Sequence, residues 1–464
     1  MTPKPRTLTH KNANQVGILG GGQLALMLAN AAVKMCIRPI VLAENSFAPA
    51  ALVHSGAVFG AIEDENVLRC LFSQVHTVVF ENEFVNCEQL KKVAAPFDIA
   101  FAPGLDVITL LQDKLNQKET LKKLNIPTAD YAILDLASPL EPQLKALLHD
   151  WGGALVLKWS RMGYDGKGVL RVESKTGGNA QDKSQDKSQD KLEDLAKAET
   201  FCHAARRLKS RVYAERLIDF KAELAMVAAQ STEIGFLTYP LVISEQEDGI
   251  CGKIYGPATL LGVPSKLENQ AQDFAKKLAQ FTGLVGTFAI EFFQTAHGEL
   301  LVNEIAPRVH NSGHYTQNSC PTDQFENHWR AILGFPLGRV ETKSYFAMLN
   351  LLGPEAFPLR KNLRSLPQPG MCTHLHWYGK SEIRPRRKLG HLNGNVFERE
   401  HMKALFKELE SCRRRWIEDL TNEYENAKLD SNSNSNSNSN SNLILNANEN
   451  KTATATLNKN ERNI

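Results

Sequence analysis

Short apolar runs alternate with longer helical stretches through the first hundred residues, and few folds accept that rhythm. Val16–Leu19, Pro39–Ala43, Thr77–Phe80 and Ile99–Ala102 read as buried strands, and Gln23–Lys34 reads as a helix between the first two. Strands separated by helices predict a parallel sheet covered on its faces, the start of an α/β chain. A polar leader, residues 1–14, precedes them. Its Lys4, Arg6 and Lys11 before the apolar run Val16–Val33 have a faint signal-peptide look. Gly20-Gly21-Gly22-Gln23 at the centre of that run and Asn30 near its end fit a strand, a turn and a helix instead. No stretch reaches the length of a membrane-spanning helix, so a cytoplasmic protein with no membrane partner is expected.

The charge balance narrows the function classes. Lys and Arg number 54 against 51 Asp and Glu in 464 residues, a formal +3, without the basic excess of a general nucleic-acid binder. The eight cysteines are scattered with no C-x-x-C pair, which argues against a zinc ribbon or a disulfide scaffold and for thiols in a reducing compartment.

Further along, the segment 105–125 is charged and helical and stops before Pro127. Strands are expected at Ala154–Lys158, Val169–Val172, Val212–Leu217, Glu223–Ala229, Phe236–Pro240, Thr287–Phe293 and Glu299–Ile305, with helices at Leu192–Leu208 and over 268–281. Gln181–Lys191 repeats Gln-Asp-Lys with serine between copies, has no apolar residue, and reads as a disordered insertion. Ser431–Asn442 alternates serine and asparagine and opens a polar tail to Ile464. The expected organisation is a leader (1–14), a Rossmann-like unit (15–112), a central unit (113–340), a small α/β unit (341–395), a helical extension (396–430) and a low-complexity tail (431–464). Within the central unit a lid spans about 126–210 and carries the insertion at 174–191.

Gly20-Gly21-Gly22-Gln23-Leu24-Ala25 fits G-x-G-x-x-A between a strand and a helix, and Glu44 ends the second strand where a ribose-binding acid would stand. By itself this suggests NAD or FAD and an oxidoreductase. Any phosphate, or a tight strand–helix turn alone, uses the same glycines.

A second constellation lies in the central unit. A two-residue turn at His297-Gly298 would set Glu291 directly opposite Glu304, with Cβ atoms about 5 Å apart. Opposed carboxylates on otherwise apolar strands repel unless a cation lies between them, and a hard divalent ion is the natural one. Asn303 offers a further oxygen. A longer or shifted turn would instead send each glutamate to solvent. Mg²⁺ usually shares its shell with phosphates. Lys158 ends a strand just before Gly163-Tyr164-Asp165-Gly166-Lys167-Gly168, a flap whose N–H groups suit a triphosphate. It is not a Walker A loop, since no G-K-[ST] opens a helix there. Glu215 and Glu223 follow on strands.

Lysine, glycine flap, acidic strands and metal carboxylates, in that order, resemble the ATP-grasp superfamily of carboxylate–amine ligases. Longer runs are more specific. Ala306-Pro307-Arg308-Val309-His310-Asn311-Ser312-Gly313-His314-Tyr315-Thr316-Gln317-Asn318 is similar to a signature of the N5-carboxyaminoimidazole ribonucleotide synthase family of purine biosynthesis. So are the flap and His374-Leu375-His376-Trp377-Tyr378-Gly379-Lys380, followed by Arg384-Pro385 and Arg387-Lys388-Leu389-Gly390-His391-Leu392-Asn393. The resemblance covers about 15–395. It implies an ATP-grasp fold with a pre-ATP-grasp parallel-sheet domain and a small C-terminal α/β segment. The implied reaction joins 5-aminoimidazole ribonucleotide and bicarbonate at the expense of ATP, with Mg²⁺ as metal and a homodimer as assembly.

The resemblance also implies roles. Lys114, Lys158 and the flap residues Gly163, Tyr164, Asp165, Gly166, Lys167 and Gly168 hold ATP, with Glu215 and the Ile218 backbone at adenine, Glu223 at ribose, and Gln246, Asn303 and Glu304 nearby. Glu291 and Glu304 bind the metal. Gly22, Gln23, Leu24, Glu81, Tyr164, Lys167, Arg308, His310 and Asn311 lie on the substrate side, and Lys380 and Arg387 clamp its phosphate. In this reading the first glycine loop binds no dinucleotide. Asp165, Arg308 and His310 are the catalytic candidates: Asp165 to orient or deprotonate the amine, Arg308 to fork onto bicarbonate or phosphate. Blander roles exist, with His310 capping a turn, Asp165 forming one, and the Arg384–Lys388 cluster making a solvated basic face. The sequence departs from the family pattern at Lys114, where arginine is usual, at Gln246, where histidine is usual, and at Arg386, where glycine is usual. One extra residue also precedes Arg384. Rival classes are a dinucleotide oxidoreductase, a non-catalytic scaffold, and the related formate-dependent glycinamide ribonucleotide transformylase.

Overall fold

The computed structural model describes residues 15–54, 56–163, 166–174, 187–231, 235–355, 360–361 and 365–426. The leader, Tyr164, Asp165, most of the repeat insertion and the Ser-Asn tail lie outside these residues.

The N-terminal unit is a five-stranded parallel sheet. In spatial order its strands are Ala57–Phe59, Arg38–Ala43, Gln15–Leu19, Thr77–Phe80 and Ala100–Ala102. The strand order reverses beside Gln15–Leu19, so the crevice at the carboxyl ends of Gln15–Leu19 and Thr77–Phe80 is a topological switch point, where such sheets hold ligands. Helix Gln23–Lys34 buries eight of its residues because it is covered twice. The sheet takes one side, and helix Gln324–Ile332 takes the other, where the Trp329 indole N–H donates to the Leu28 carbonyl at 2.8 Å. The glycine loop is thereby fixed against the central unit.

A nine-stranded antiparallel sheet runs through the rest of the molecule. Its order is Leu300–Ala306, Gly286–Thr295, Phe220–Ser231, Val242–Glu247, Ile250–Gly256, Tyr345–Leu352, Lys388–Val396, Thr373–Trp377, with Gly235–Thr238 paired beside Phe220–Ser231. The segment expected as a small C-terminal unit thus continues the central sheet, since Tyr345–Leu352 pairs with Ile250–Gly256. A helix over 402–426 covers that end with Met402, Leu405, Leu409, Cys412, Trp416 and Leu420, a helical-period stripe packed on Leu349, Leu389 and Leu392.

A separate four-stranded antiparallel sheet, Tyr131–Ile133, Val212–Arg216, Ala154–Trp159 and Val169–Glu173, forms the lid. Its core joins Leu155, Leu157 and Val172 to Leu144 of helix Leu140–Asp150 and to Ala198, Cys202 and Ala205 of the helix that follows the repeats. That helix spans Lys187–Arg207, so the last copy of the repeat, Gln189–Lys191, is helical rather than part of a disordered insertion. Lysine, glutamine, serine and aspartate extend a helix that is already nucleated, with no proline or glycine to stop it. The charged stretch 105–125 is two helices, Leu105–Leu111 and Lys114–Lys123, and not one. Asp113 divides them by accepting the N–H groups of Leu115 at 3.0 Å and Asn116 at 3.4 Å, an N-cap within the predicted helix. All eight cysteines are free, and no helix among the described residues is long and apolar enough to cross a membrane.

Candidate active site

The hairpin Gly286–Thr295/Leu300–Ala306 sets Glu291 opposite Glu304, as expected, but by a different route. The loop is Ala296-His297-Gly298 rather than two residues, with Thr295 donating its N–H to the Glu299 carbonyl at 2.9 Å and Gly298 at φ 79°. That would displace the register by one. A bulge at Asn303, between the Glu291–Glu304 and Phe292–Val302 pairs, takes up the difference. The bulge also aims Asn303, whose amide oxygen accepts from Lys158 Nζ at 3.0 Å.

Lysines from two elements converge on these acids. Lys114, at the start of helix Lys114–Lys123, meets Glu304 Oε2 at 2.6 Å. Burial opposes its charge, but Glu304 and then Glu291 outweigh that and raise its pKa. Lys158 on the lid pairs with Glu215. So does Lys118, one helical turn after Lys114 and only 2% exposed. Burial pushes the Glu215 carboxyl up, yet Lys158 and Lys118 together hold it below the ordinary value. Glu291 has no such pair. Burial first, then Glu304 and Glu223, push it up to about 7. Glu223 is itself raised by burial. Two half-buried glutamates facing each other, one of them held by a lysine, form a donor set that a hard cation fits. Among the described residues no cluster of three or more His, Cys, Asp or Glu makes a metal site, so further oxygens would come from phosphates and water.

Glu81 ends the strand Thr77–Phe80 and points across the switch point into the first glycine loop. It accepts N–H groups from Gly22 at 2.7 Å and Leu24 at 3.3 Å, which places a carboxylate where a dinucleotide phosphate would bind the helix N-terminus. A Cβ on Gly22 would lie 2.2 Å from Glu81 Oε1, so the glycines make room for this acid. Burial raises the Glu81 pKa, opposed by the Gly22 N–H and by the charge of Lys380. Gln23 opens the helix beside it. The expectation of a guanidinium open to bicarbonate is modified at Arg308. Its Nε and Nη2 fork onto the buried Glu83, at 2.5 and 3.3 Å, and Nη1 donates to the Val309 carbonyl at 3.2 Å.

His310 caps a turn, the plainer of the roles considered for it in sequence, and its other nitrogen faces Glu291. Its Nδ1 accepts the Ser312 N–H at 3.3 Å and caps the turn Asn311–Gly313. An accepting Nδ1 places the proton on Nε2, which lies 3.8 Å from Glu291 Oε1. Burial, then Arg308 and Lys388, keep the ring neutral. The Asn311 amide is paired face to face with Asn350, at 2.8 and 3.2 Å. Nearby is a stack of three imidazoles, two of them buried, with the His391 centroid 4.7 Å from that of His314 and 4.4 Å from that of the half-buried His376.

Lys380 lies 5.7 Å over the Tyr378 ring. Arg387 donates to the Glu382 carbonyl at 3.1 Å and is lowered by burial and by Arg384. Ile218 is half-buried in the link between the lid strand Val212–Arg216 and the central strand Phe220–Ser231, beside a cavity of about 360 Å³. Gln246 donates to Ser244 Oγ at 3.1 Å at a bulge in its strand. In the flap, Gly163 and Gly168 are buried, Gly166 and Lys167 exposed. A Cβ on Gly168 would lie 2.8 Å from the Trp159 ring. Sequence reasoning missed Glu83, Lys118 and Asn350. Lys118 had a legible signal in its i,i+4 spacing from Lys114. Glu83 and Asn350 had none, since their partners are distant in sequence.

Three family models match in chain order. A ribonucleotide synthetase preATP-grasp domain covers residues 13–112, an ATP-grasp domain 119–325, and a phosphoribosylaminoimidazole carboxylase C-terminal domain 347–404. Paired glutamates and converging lysines between a lid sheet and a central sheet agree with the second of these, and the chain is a ligase of the ATP-grasp class. Its relatives are narrower than that class. The N5-carboxyaminoimidazole ribonucleotide synthase of Synechococcus elongatus is 35% identical over 81% of this chain and 88% of that protein. That of Synechocystis is 33% identical over 88% and 97%. The solved Aspergillus clavatus enzyme complexed with ATP superposes with a TM-score of 0.73 at 30% identity, covering 87% of this chain and 99% of its own. The same enzyme with ADP and 5-aminoimidazole ribonucleotide gives 0.70 at 29%, covering 89% and 99%. The chain belongs to the N5-carboxyaminoimidazole ribonucleotide synthase family.

Proposed function

We propose that this chain carboxylates 5-aminoimidazole ribonucleotide with bicarbonate, converting ATP to ADP and phosphate. The observation that carries the reading is the opposed Glu291–Glu304 pair facing the lid lysine Lys158, a phosphoryl-transfer site, joined in one molecule to a substrate crevice shaped by Glu81, Arg308 and Lys380.

Bicarbonate is a poor electrophile. In the first step one of its oxygens attacks the γ-phosphorus, ADP leaves, and carboxyphosphate forms. Charge spreads over the transferring oxygens, so fixed cations stabilise that transition state. Lys158, oriented by Glu215 and Asn303, points at this position, and Lys114 stands beside it on Glu304. Mg²⁺ held by Glu291 and Glu304 would neutralise the β and γ oxygens. Glu215 and Ile218 receive adenine, Glu223 the ribose, and Gln246 lies alongside. The flap Gly163–Gly168 keeps water from carboxyphosphate.

In the second step the exocyclic amine attacks the carboxyl carbon, the C–O bond to phosphate breaks, and the amine proton is lost to Asp165. Arg308, held rigid by Glu83, presents its remaining N–H groups to the departing oxyanion. Neutral His310 donates through Nε2. Asn311, Gly22, Gln23 and Leu24 shape the crevice, Tyr164 and Lys167 cover it, and Lys380 and Arg387 hold the ribonucleotide phosphate. The free thiols agree with a cytoplasmic setting, and a homodimer completes the reading by family resemblance. Bicarbonate labelled with ¹⁸O tests the order of steps: one labelled oxygen should appear in the released phosphate. Unlabelled phosphate, formed alongside product, would exclude carboxyphosphate.

A further inference from the structure

Three turn tips from distant parts of the chain meet at the edge of the site just described. The hairpin Val242–Glu247/Ile250–Gly256 turns through Asp248 at φ 50° and Gly249 at φ 78°, a two-residue turn with both centres left-handed. Gly166 of the flap, at φ 76°, lies against this tip backbone to backbone. A Cβ on Gly249 would stand 3.2 Å from Gly166 Cα, and one on Gly166 would stand 3.3 Å from the Gly249 carbonyl oxygen. From the other side the Arg386 guanidinium donates to the Asp248 carbonyl.

Arg386 is held in an unusual way. Its backbone has φ 63°, a region that arginine avoids. The turn around it is pinned by Arg386 N–H to Gly353 O at 2.7 Å, Arg387 N–H to Arg384 O at 3.1 Å and Gly353 N–H to Arg387 O at 2.9 Å. Glu355 lies 4.0 Å from Nη1, beyond hydrogen-bond reach, so the directional contact is the carbonyl of Asp248. Strain retained in a pinned turn points to a task for the side chain that it directs.

We propose that Arg386 is a positioning residue that ties the turn carrying Arg387 and Lys388 to the Asp248-Gly249 tip, and through that tip steadies the Gly166 end of the flap. This rests on the function proposed above, in which Arg387 grips the substrate phosphate and the flap covers ATP. The tether links the two sites mechanically, so ribonucleotide binding firms the flap and nucleotide binding firms the phosphate turn, by the same factor. Without it, carboxyphosphate meets more water, and phosphate is released without product.

The test uses full-length protein with R386G and R386K. Glycine suits φ 63° and preserves the fold, while lysine keeps a donor of similar reach. With Mg²⁺ and a non-hydrolysable ATP analogue bound, trypsin should cut after Lys167 at least fivefold faster in R386G than in wild type, with cutting outside residues 384–388 unchanged. R386K should cut nearly as wild type does. In turnover, R386G should release several phosphates per carboxylated product where wild type releases about one. Equal cutting after Lys167 in R386G and wild type overturns the tether, whatever the turnover. If wild type makes no product from 5-aminoimidazole ribonucleotide, the reaction assigned above fails, and the cutting comparison still decides the role of Arg386.

Discussion

Glu291 is the residue on which the site turns. It is a half-buried acid facing another acid, with its pKa pushed up to about 7 by desolvation and by Glu304. Such a group weakens the empty fold and strengthens the loaded one. E291Q should therefore lose ATP turnover by at least about a hundredfold while its unfolding free energy, read by urea titration without metal, stays level or rises. A variant that loses both activity and stability would deny the pair its role. In the proposed function Lys380 serves the other substrate. K380A should raise the KM for 5-aminoimidazole ribonucleotide at least tenfold and leave that for ATP nearly unchanged, because the lost contact is to one ligand only. Most of these residues were legible because local motifs carry them: the flap, the run through Arg308–Asn311 and Lys380. Glu83 was not, since it meets Arg308 across 225 positions and no local pattern records such a pairing.

Among the elements, the hairpin of Glu291 and Glu304 is the instructive one. The expected two-residue turn at His297-Gly298 is a three-residue loop with Gly298 at φ 79°. The expected unbroken ladder carries a bulge at Asn303, and the two departures cancel at Glu291 and Glu304. Apolar alternation fixes which face a strand buries, but loop length and bulges compensate one another and leave little trace in composition. The same limit applies at Asp113, whose cap divides a helix that periodicity reads as continuous. G298A tests the turn: alanine at that φ should cost about 1 kcal/mol, seen as a lower Tm, with kcat unchanged because the loop lies at the far end of the hairpin. A large fall in kcat would mean that the loop sets the glutamate register. The strands of the N-terminal sheet and of the glutamate hairpin were legible, but the hairpin Val242–Glu247/Ile250–Gly256 at the centre of the large sheet was not, since its strands are short, mixed in polarity and interrupted by a bulge. The continuity of the small C-terminal unit with the central sheet was not, because pairing between Ile250–Gly256 and Tyr345–Leu352 spans about ninety residues.

At the scale of the whole molecule, composition separates what the fold needs from what it does not. The repeat within 175–186 and the tail 431–464 hold little apolar surface, and each doubling of a loop costs only about 0.6 kcal/mol. Deleting both should leave kcat and Tm nearly unchanged; a several-fold fall in kcat at constant Tm would give the repeat a part in lid motion. Acid sensitivity is built into the core. His328 is 1% exposed and burial lowers its pKa to about 3. His376 is lowered to about 4 by burial and by His374. Between pH 6.5 and those values the unfolded chain binds protons that the native rings refuse, so stability falls as pH falls, by up to about 1.4 kcal/mol per unit for each group. H328N, whose amide oxygen replaces Nδ1 as acceptor for the Thr287 N–H, should lose less stability than wild type between pH 7 and 5. Equal losses would remove His328 from the acid limb. The most direct test of the assigned reaction is ADP release by full-length protein with Mg²⁺ and ATP, with bicarbonate and 5-aminoimidazole ribonucleotide each present or withheld. Rapid release only when both are present, matched one to one by carboxylated ribonucleotide, is the expected result; release that ignores the ribonucleotide, or no release with both supplied, would contradict it.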